Sequence, residues 1–212
     1  MSLSRRLALL EWSREAGAWI VEDDYDSEYR FSGRPLEALY GLDRAGRVLY
    51  IGTFSKVLFP SLRLGYLVAP PEFLPGLIAV YRLITVHLAL LEQMALADFL
   101  AEGYFVRHVR RMSLFYKERR NTLVEALKRE LGHKLEVSVP EAGMHLVAWL
   151  PSGISAQEAA HRAAASGLPI LPVSQFSQRS LHRDGLVIGF ASASPQELRT
   201  GVQRLALALQ AI

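Results

Sequence analysis

The sequence predicts an α/β protein in which a domain built on a mainly parallel sheet is followed by a small α+β domain. Three observations carry this. Ala18–Val21, Val48–Ile51 and Leu64–Ala69 are apolar runs without alternation, the pattern of strands buried on both faces. From Phe105 to Leu131 apolar residues recur at threes, fours and sevens, as on one long amphipathic helix. After Gly132 the order reads β-β-α-β-β-α.

The elements follow in order. Ser4 to Ala16 reads as a helix with Leu7, Leu10 and Trp12 near one side and Gly17 as its stop. The first apolar run ends in Glu22, Asp23 and Asp24, the second in Gly52-Thr53-Phe54-Ser55-Lys56, and the third in Pro70 and Pro71. On the long helix Phe105, Val109, Met112, Tyr116, Leu123, Leu127 and Leu131 form the apolar side, with Arg107, Arg110, Arg111, Lys117 and Arg119 largely elsewhere. Beyond it, Leu135–Val139 and Met144–Leu150 read as strands. Ser155 and Glu158 form a capping box, and Gly167 ends that helix. Pro169 and Pro172 consign Leu168–Val173 to a sheet edge. Leu186–Phe190 is a strand, and Ser194, Pro195 and Glu197 open a last helix. The expected division is residues 1–103, a connecting helix 104–131, and a small domain 132–212.

Composition narrows the function. The chain has 212 residues, half of them hydrophobic, 21% charged, with a net charge of +3 and no cysteine. Disulfides and thiolate metal sites are excluded, and scattered histidines show no metal spacing. No block of like charge points to nucleic acid. No apolar run reaches the ~18 residues of a membrane span. The N-terminal apolar stretch is too soon interrupted by Glu11 to read as a signal peptide. The expectation is a cytoplasmic protein with no membrane contact.

Chemistry gathers at two strand ends. Asp23 and Tyr25 follow the first run; Ser55 and Lys56 follow the second. In open α/β sheets ligands sit outside the carboxyl ends of strands. If the two strands are neighbours, a carboxylate, a phenol and an ammonium converge on one crevice. A lysine there can be activated as a nucleophile, and an aspartate can hold a proton on a pyridine nitrogen, the groups that pyridoxal 5′-phosphate needs. Residue types and spacing alone leave this beside a plainer reading, a solvated polar loop at the sheet edge.

The stretches EDDYDSEYRFSGRPLEAL and VLYIGTFSKVLFPSLRLGYLVAP, continued by RHVRRMSLFYKERRNTLVEAL, AGMHLVAWLP and GFAS, resemble the aminotransferase-like domain of the MocR family of transcriptional regulators. The resemblance covers nearly the whole chain. It implies part of a fold-type I, pyridoxal-phosphate-dependent large domain of the class I/II aminotransferase type, plus its small C-terminal domain. It further implies that Lys56 carries the cofactor as a Schiff base, that Asp23 holds the pyridinium nitrogen, and that Tyr25 bonds the ring oxygen. By the same resemblance Ser55 and Arg63 are expected to hold the phosphate, with Thr53 a weaker candidate. The partners implied are an amino acid or amine effector, a second copy in a homodimer, and DNA only through an upstream helix-turn-helix absent from this chain. A full fold-type I domain is expected to begin well upstream of Ser4, with a phosphate cup and a ring stacker there. Phe59-Pro60 favours a regulator over a free-standing class I/II aminotransferase; a truncated remnant without cofactor is the third reading. Asp24 and Asp26 are expected as loop or capping groups, Arg30 and Arg34 as loop charges, and His145 as a packing histidine. Arg179 and Arg183 are the candidates for a substrate-carboxylate arginine.

Overall fold

The computed structural model describes residues 1–33, 37–85 and 89–210. The chain divides into two compact units. The first comprises Met1–Glu28 and Gly33–Val109, the second Tyr29–Ser32 and Arg110–Ile212.

In the first unit, α1 (Leu3–Ala16) stops at Gly17, whose left-handed backbone (φ 64°) lets its N–H reach the carbonyl of Arg14. Ser13 is fully buried and donates to the carbonyl of Ala18 at 2.7 Å, tying the helix end to the strand that follows. Strands β1 (Ile20–Asp24), β2 (Val48–Thr53) and β3 (Gly65–Val68) form one sheet in that order. β1 and β2 are parallel, with Ile20 opposite Val48 and Asp24 opposite Gly52. β3 returns antiparallel to β2. The segment between them holds one 3-10 turn, Pro60–Leu62, and no crossover helix, which a parallel partner would need.

Only one face of this sheet is packed. There Ile20, Val48 and Leu39 of the short helix α2 (Leu39–Leu42) form the core against Leu9 and Leu10 of α1. Leu7 and Trp12, expected on the packing side, are half-exposed. The continuous apolar runs predicted burial on both faces, and that expectation fails. Val21, Ile51 and Leu67, on the other face, are 61%, 38% and 43% exposed. Two helices not resolved in the sequence follow, α3 (Leu74–Ile84) and α4 (Leu90–Ala101). They also leave large apolar side chains in solvent, among them Leu83, Ile84 and Leu91.

The long helix is α5 (Tyr104–Leu131), 28 residues. It starts in the first unit and ends in the second, where Leu123, Leu127 and Leu131 are buried. Four antiparallel strands follow in the order β4-β5-β7-β6: β4 (Glu136–Ser138), β5 (His145–Trp149), β6 (Leu171–Pro172) and β7 (Gly185–Gly189). β6 lies at the edge of the sheet, as Pro172 within it requires. Helix α6 (Ala156–Ala165) is capped by Ser155 Oγ, which accepts from the Glu158 N–H at 3.3 Å. α7 (Pro195–Gln210) carries a reciprocal box, with Ser194 N–H donating to Glu197 Oε2 at 2.7 Å. Leu146, Ala148, Leu186, Phe190, Val202 and Leu205 fill the core. Tyr29–Ser32 belongs here: Phe31 N–H donates to the carbonyl of Glu141, and Gly143 N–H to that of Tyr29. Among the described residues no helix is long and apolar enough to cross a membrane, and no group of side chains is arranged to hold a metal ion.

Candidate functional site

Parallel pairing places the ends of β1 and β2 side by side, with Asp23 opposite Ile51 and Asp24 opposite Gly52. Alternation along β1 sends Val21 and Asp23 to one face and Glu22 and Asp24 to the other. Beyond the strand ends lies an open concavity of about 1360 Å³. Asp23, Tyr25, Thr53, Ser55, Lys56 and Arg63 all line it. So do Ile51 and Leu67 of the uncovered sheet face and apolar side chains of α3 and α4, such as Ile78 and Leu96.

The polar groups here differ in how far the fold commits them. Thr53 holds the turn after β2: its Oγ1 accepts from the Ser55 N–H at 3.2 Å and donates to the carbonyl of Leu64 at 3.4 Å. The turn is closed by Leu58 N–H to the carbonyl of Phe54 at 2.8 Å, and by the His108 ring against the carbonyl of Val57 at 2.9 Å. Lys56 sits in this turn, three residues beyond the strand, and is exposed rather than buried at a strand end. Arg63 ends the 3-10 turn with φ 51°, a left-handed conformation that no other non-glycine residue adopts among those described. Such a backbone is held against its own preference at a cost of order 1 kcal/mol. It fixes the point from which the Arg63 side chain departs. Among the described residues Asp23, Tyr25, Lys56 and Arg63 have no hydrogen-bond or ion partner: two cations, one anion and a phenol face one space uncommitted.

Asp24 behaves oppositely. Its carboxylate accepts from the Ser27 N–H (3.2 Å), the Ser27 hydroxyl (2.6 Å) and the Tyr50 hydroxyl (2.7 Å). Burial pushes the Tyr50 phenol far above its usual range, reinforced by its hydrogen bonds to Asp24 and Tyr66. Sequence reasoning missed Tyr50. The signal was available, since two-residue alternation in VLYIGT puts Tyr50 and Gly52 on one face, and parallel register then sets Asp24 beside them. Tyr66 was also missed. Its ring lies over Gly52 and packs against Phe54 at 5.3 Å and Tyr50 at 6.0 Å.

The remaining candidates fall elsewhere. Arg30 pairs with Glu141 at 2.6 Å. Arg34 lies outside the described residues. Arg183 pairs with Glu136 at 2.6 Å and stacks on Trp149, while Arg179 is exposed. His145 is exposed on β5, covering Gly189, not packed in a core. On α5, Arg120 is buried, donating to the carbonyl of Pro140 at 2.9 Å beside the Phe31 ring.

No family model matches the chain. Curated relatives do. It is 42% identical over 212 residues to the probable rhizopine catabolism regulatory protein MocR of Rhizobium meliloti, covering 100% of this chain and 43% of that one. It is 33% identical over 213 residues to the 2-aminoadipate transaminase of Thermus thermophilus, covering 99% and 53%. Among solved structures it matches the kynurenine aminotransferase of Pyrococcus horikoshii, solved in complex with PMP, at TM-score 0.90 and 30% identity, covering 100% of this chain and 52% of that one. The α-aminoadipate aminotransferase LysN of Thermus thermophilus, complexed with N-(5′-phosphopyridoxyl)-L-leucine, matches at TM-score 0.87 and 32% identity, covering 99% and 55%. The chain thus spans about half the length of the relatives it matches. The fold is that of part of a fold-type I aminotransferase.

Proposed function

The chain belongs to the aminotransferase-like domain family that MocR-type regulators share with aminotransferases, and on that premise we propose that it is the effector-sensing part of a cytoplasmic transcriptional regulator, holding pyridoxal 5′-phosphate on Lys56. The observation that carries this is the set of uncommitted groups, Asp23, Tyr25, Lys56 and Arg63, lining one concavity at the ends of two parallel strands. The donor set fits the cofactor: an amine, a carboxylate, a phenol, a guanidinium and the Ser55 hydroxyl match an aldehyde, a ring nitrogen, a ring oxygen and a phosphate.

When bound, pyridoxal phosphate supplies an aldehyde that captures amines and a ring that withdraws electrons. Lys56 offers the amine to that aldehyde. Asp23 would keep a proton on the ring nitrogen, and Tyr25 would donate to the ring oxygen. Arg63 would balance the phosphate charge and the Ser55 hydroxyl would donate to a phosphate oxygen, while Thr53 acts through the turn it holds. The effector is an amino acid or amine, able to compete with Lys56 for the same aldehyde. The regulator acts as a homodimer and meets DNA through a separate helix-turn-helix region.

The second reading is a free-standing aminotransferase, favoured by the 33% identity to a transaminase. The 42% identity to MocR and 38% to the Bacillus subtilis HTH-type regulator YhdI favour the first.

The test is borohydride reduction in the presence of pyridoxal phosphate, followed by peptide mapping. The expected product is a single label on Lys56. Label on Lys117 or Lys128 instead overturns the assignment. Release of a keto acid on adding amino acids selects the enzyme reading over the sensor.

A further inference from the structure

The two carboxylates at the end of β1 are adjacent in sequence and opposite in circumstance. Asp23 faces the concavity without a partner, whereas Asp24 accepts three hydrogen bonds on the packed face of the sheet. Glu22, on that same packed face, is also committed: it accepts from the N–H groups of Leu39 at 2.9 Å and Tyr40 at 3.0 Å and pairs with Arg6 at 3.4 Å. β1 is therefore anchored through Glu22 and Asp24, and Asp23, between the two anchors, lines the site.

We propose that Asp24 is a positioning residue for this site, clamped by Tyr50 and Ser27 so that Asp23 and Tyr25 face the concavity and Asp24 does not compete with them. The proposal rests on the cofactor reading above. Tyr25 lies beyond the last residue of β1, where no ladder hydrogen bond holds the backbone. The bonds from Asp24 to Ser27 close the turn over that residue and take the ladder's place. Tyr50 completes the clamp from the neighbouring strand as a diagonal cross-strand partner. Its phenol, with its titration pushed upward by burial and hydrogen bonding, remains a donor throughout the neutral range. Three donors also disperse the charge of Asp24. A carboxylate released from them would stand beside Asp23 as a second anion, favouring the protonated form of any group titrating at the site.

The experiment compares the chain with Tyr50→Phe, which keeps the ring and removes one donor, and with Tyr50→Phe/Asp24→Asn, which also removes the freed charge. Amide hydrogen exchange is followed over residues 23–27, and the pH midpoint of the visible absorption is followed after adding pyridoxal phosphate. In Tyr50→Phe, exchange at the Ser27 amide, which donates to Asp24, is expected to quicken by about tenfold, the factor set by one hydrogen bond of ordinary strength. The absorption midpoint is expected to rise by several tenths of a pH unit and to return in the double variant. An unchanged midpoint in Tyr50→Phe, with bound cofactor and only a lower melting temperature, overturns the proposal. If the parent chain takes up no pyridoxal phosphate, the functional reading fails on its own. The exchange arm still decides the clamp: acceleration confined to the Ser27 amide upholds it, and uniform or absent acceleration overturns it.

Discussion

Gly52→Ala tests how β2 and β3 fit together beneath the site. A Cβ built on Gly52 would lie 2.3 Å from Cζ and 2.5 Å from Cε1 and the hydroxyl of Tyr66, its cross-strand partner. No real side chain tolerates that approach, so the Tyr66 ring must leave. Its contacts with Phe54 and Tyr50 are aromatic pairs worth roughly 0.5–1.5 kcal/mol each when well buried. Tyr66 is 40% exposed, which argues for the low end, and the ring can swing toward solvent rather than force the backbone apart. The expected loss is about 1–2 kcal/mol, read as a lower urea midpoint at unchanged slope. In a Tyr66→Ala background the same substitution should be neutral to within about 0.5 kcal/mol, the additivity limit for independent sites. Additive losses in the double variant would refute the steric account. Gly65→Ala gives a harsher contrast, because its Cβ would come within 2.9 Å of the backbone carbonyl of Gly52, which has no rotamer to escape into.

Other outcomes follow from the same geometry. Asp23→Ala is expected to abolish the bound cofactor's normal absorption with little change in melting temperature, whereas Asp24→Ala lowers the melting temperature and affects binding less; thermal melts and pyridoxal phosphate titrations of both check the crossing. In the second unit, burial raises the pKa of Asp184 but is outweighed by hydrogen bonds from the Ser174 and Gly185 N–H groups, so its carboxyl titrates below the usual range. A depressed pKa contributes stability above the unfolded value of about 3.9 and loses it as pH falls through the folded one. Acid melts of the chain should therefore be steeper than those of Asp184→Asn, and identical profiles would exclude the linkage. The purified 212-residue chain is expected to bind pyridoxal phosphate weakly, to complete no transamination and to self-associate through its exposed apolar face; a stable visible band that converts on adding an amino acid, or a monomer at high concentration in sedimentation, would contradict this.

Most of the second unit could be read from the sequence because its signals are local. Ser155 with Glu158 and Ser194 with Glu197 fix two helix starts by hydrogen bonds three residues apart, and Pro169 and Pro172 can sit only at an edge. The first unit was harder. LPGLIAVYRLI in α3 is apolar almost throughout, so no polar face marked it as a helix. Val21 and Ile51 read as doubly buried because residue type reports what a face prefers, not what covers it. At the site, Asp23, Tyr25, Ser55, Lys56 and Arg63 were visible as chemistry at strand ends. Tyr50 was not, because its role depends on which strand lies beside β1 and in what register.

The exposure of Lys56 bears directly on how this site works. An amine attacks an aldehyde only through its unprotonated form. Two things favour the neutral amine: loss of water and a neighbouring positive charge. Arg63 supplies a cation lining the same concavity. Loss of water requires that the concavity be covered, and its walls of Ile51, Leu67, Ile78 and Leu96 are suited to apolar cover. The uncovered sheet face and the exposed lysine are thus one physical problem. Whatever apolar surface closes over Ile51 and Leu67 also strips water from Lys56 and strengthens the pull of Asp23 on any cation held there. The polar groups that define the chemistry come from the ends of β1 and β2; their strength is set by the cover.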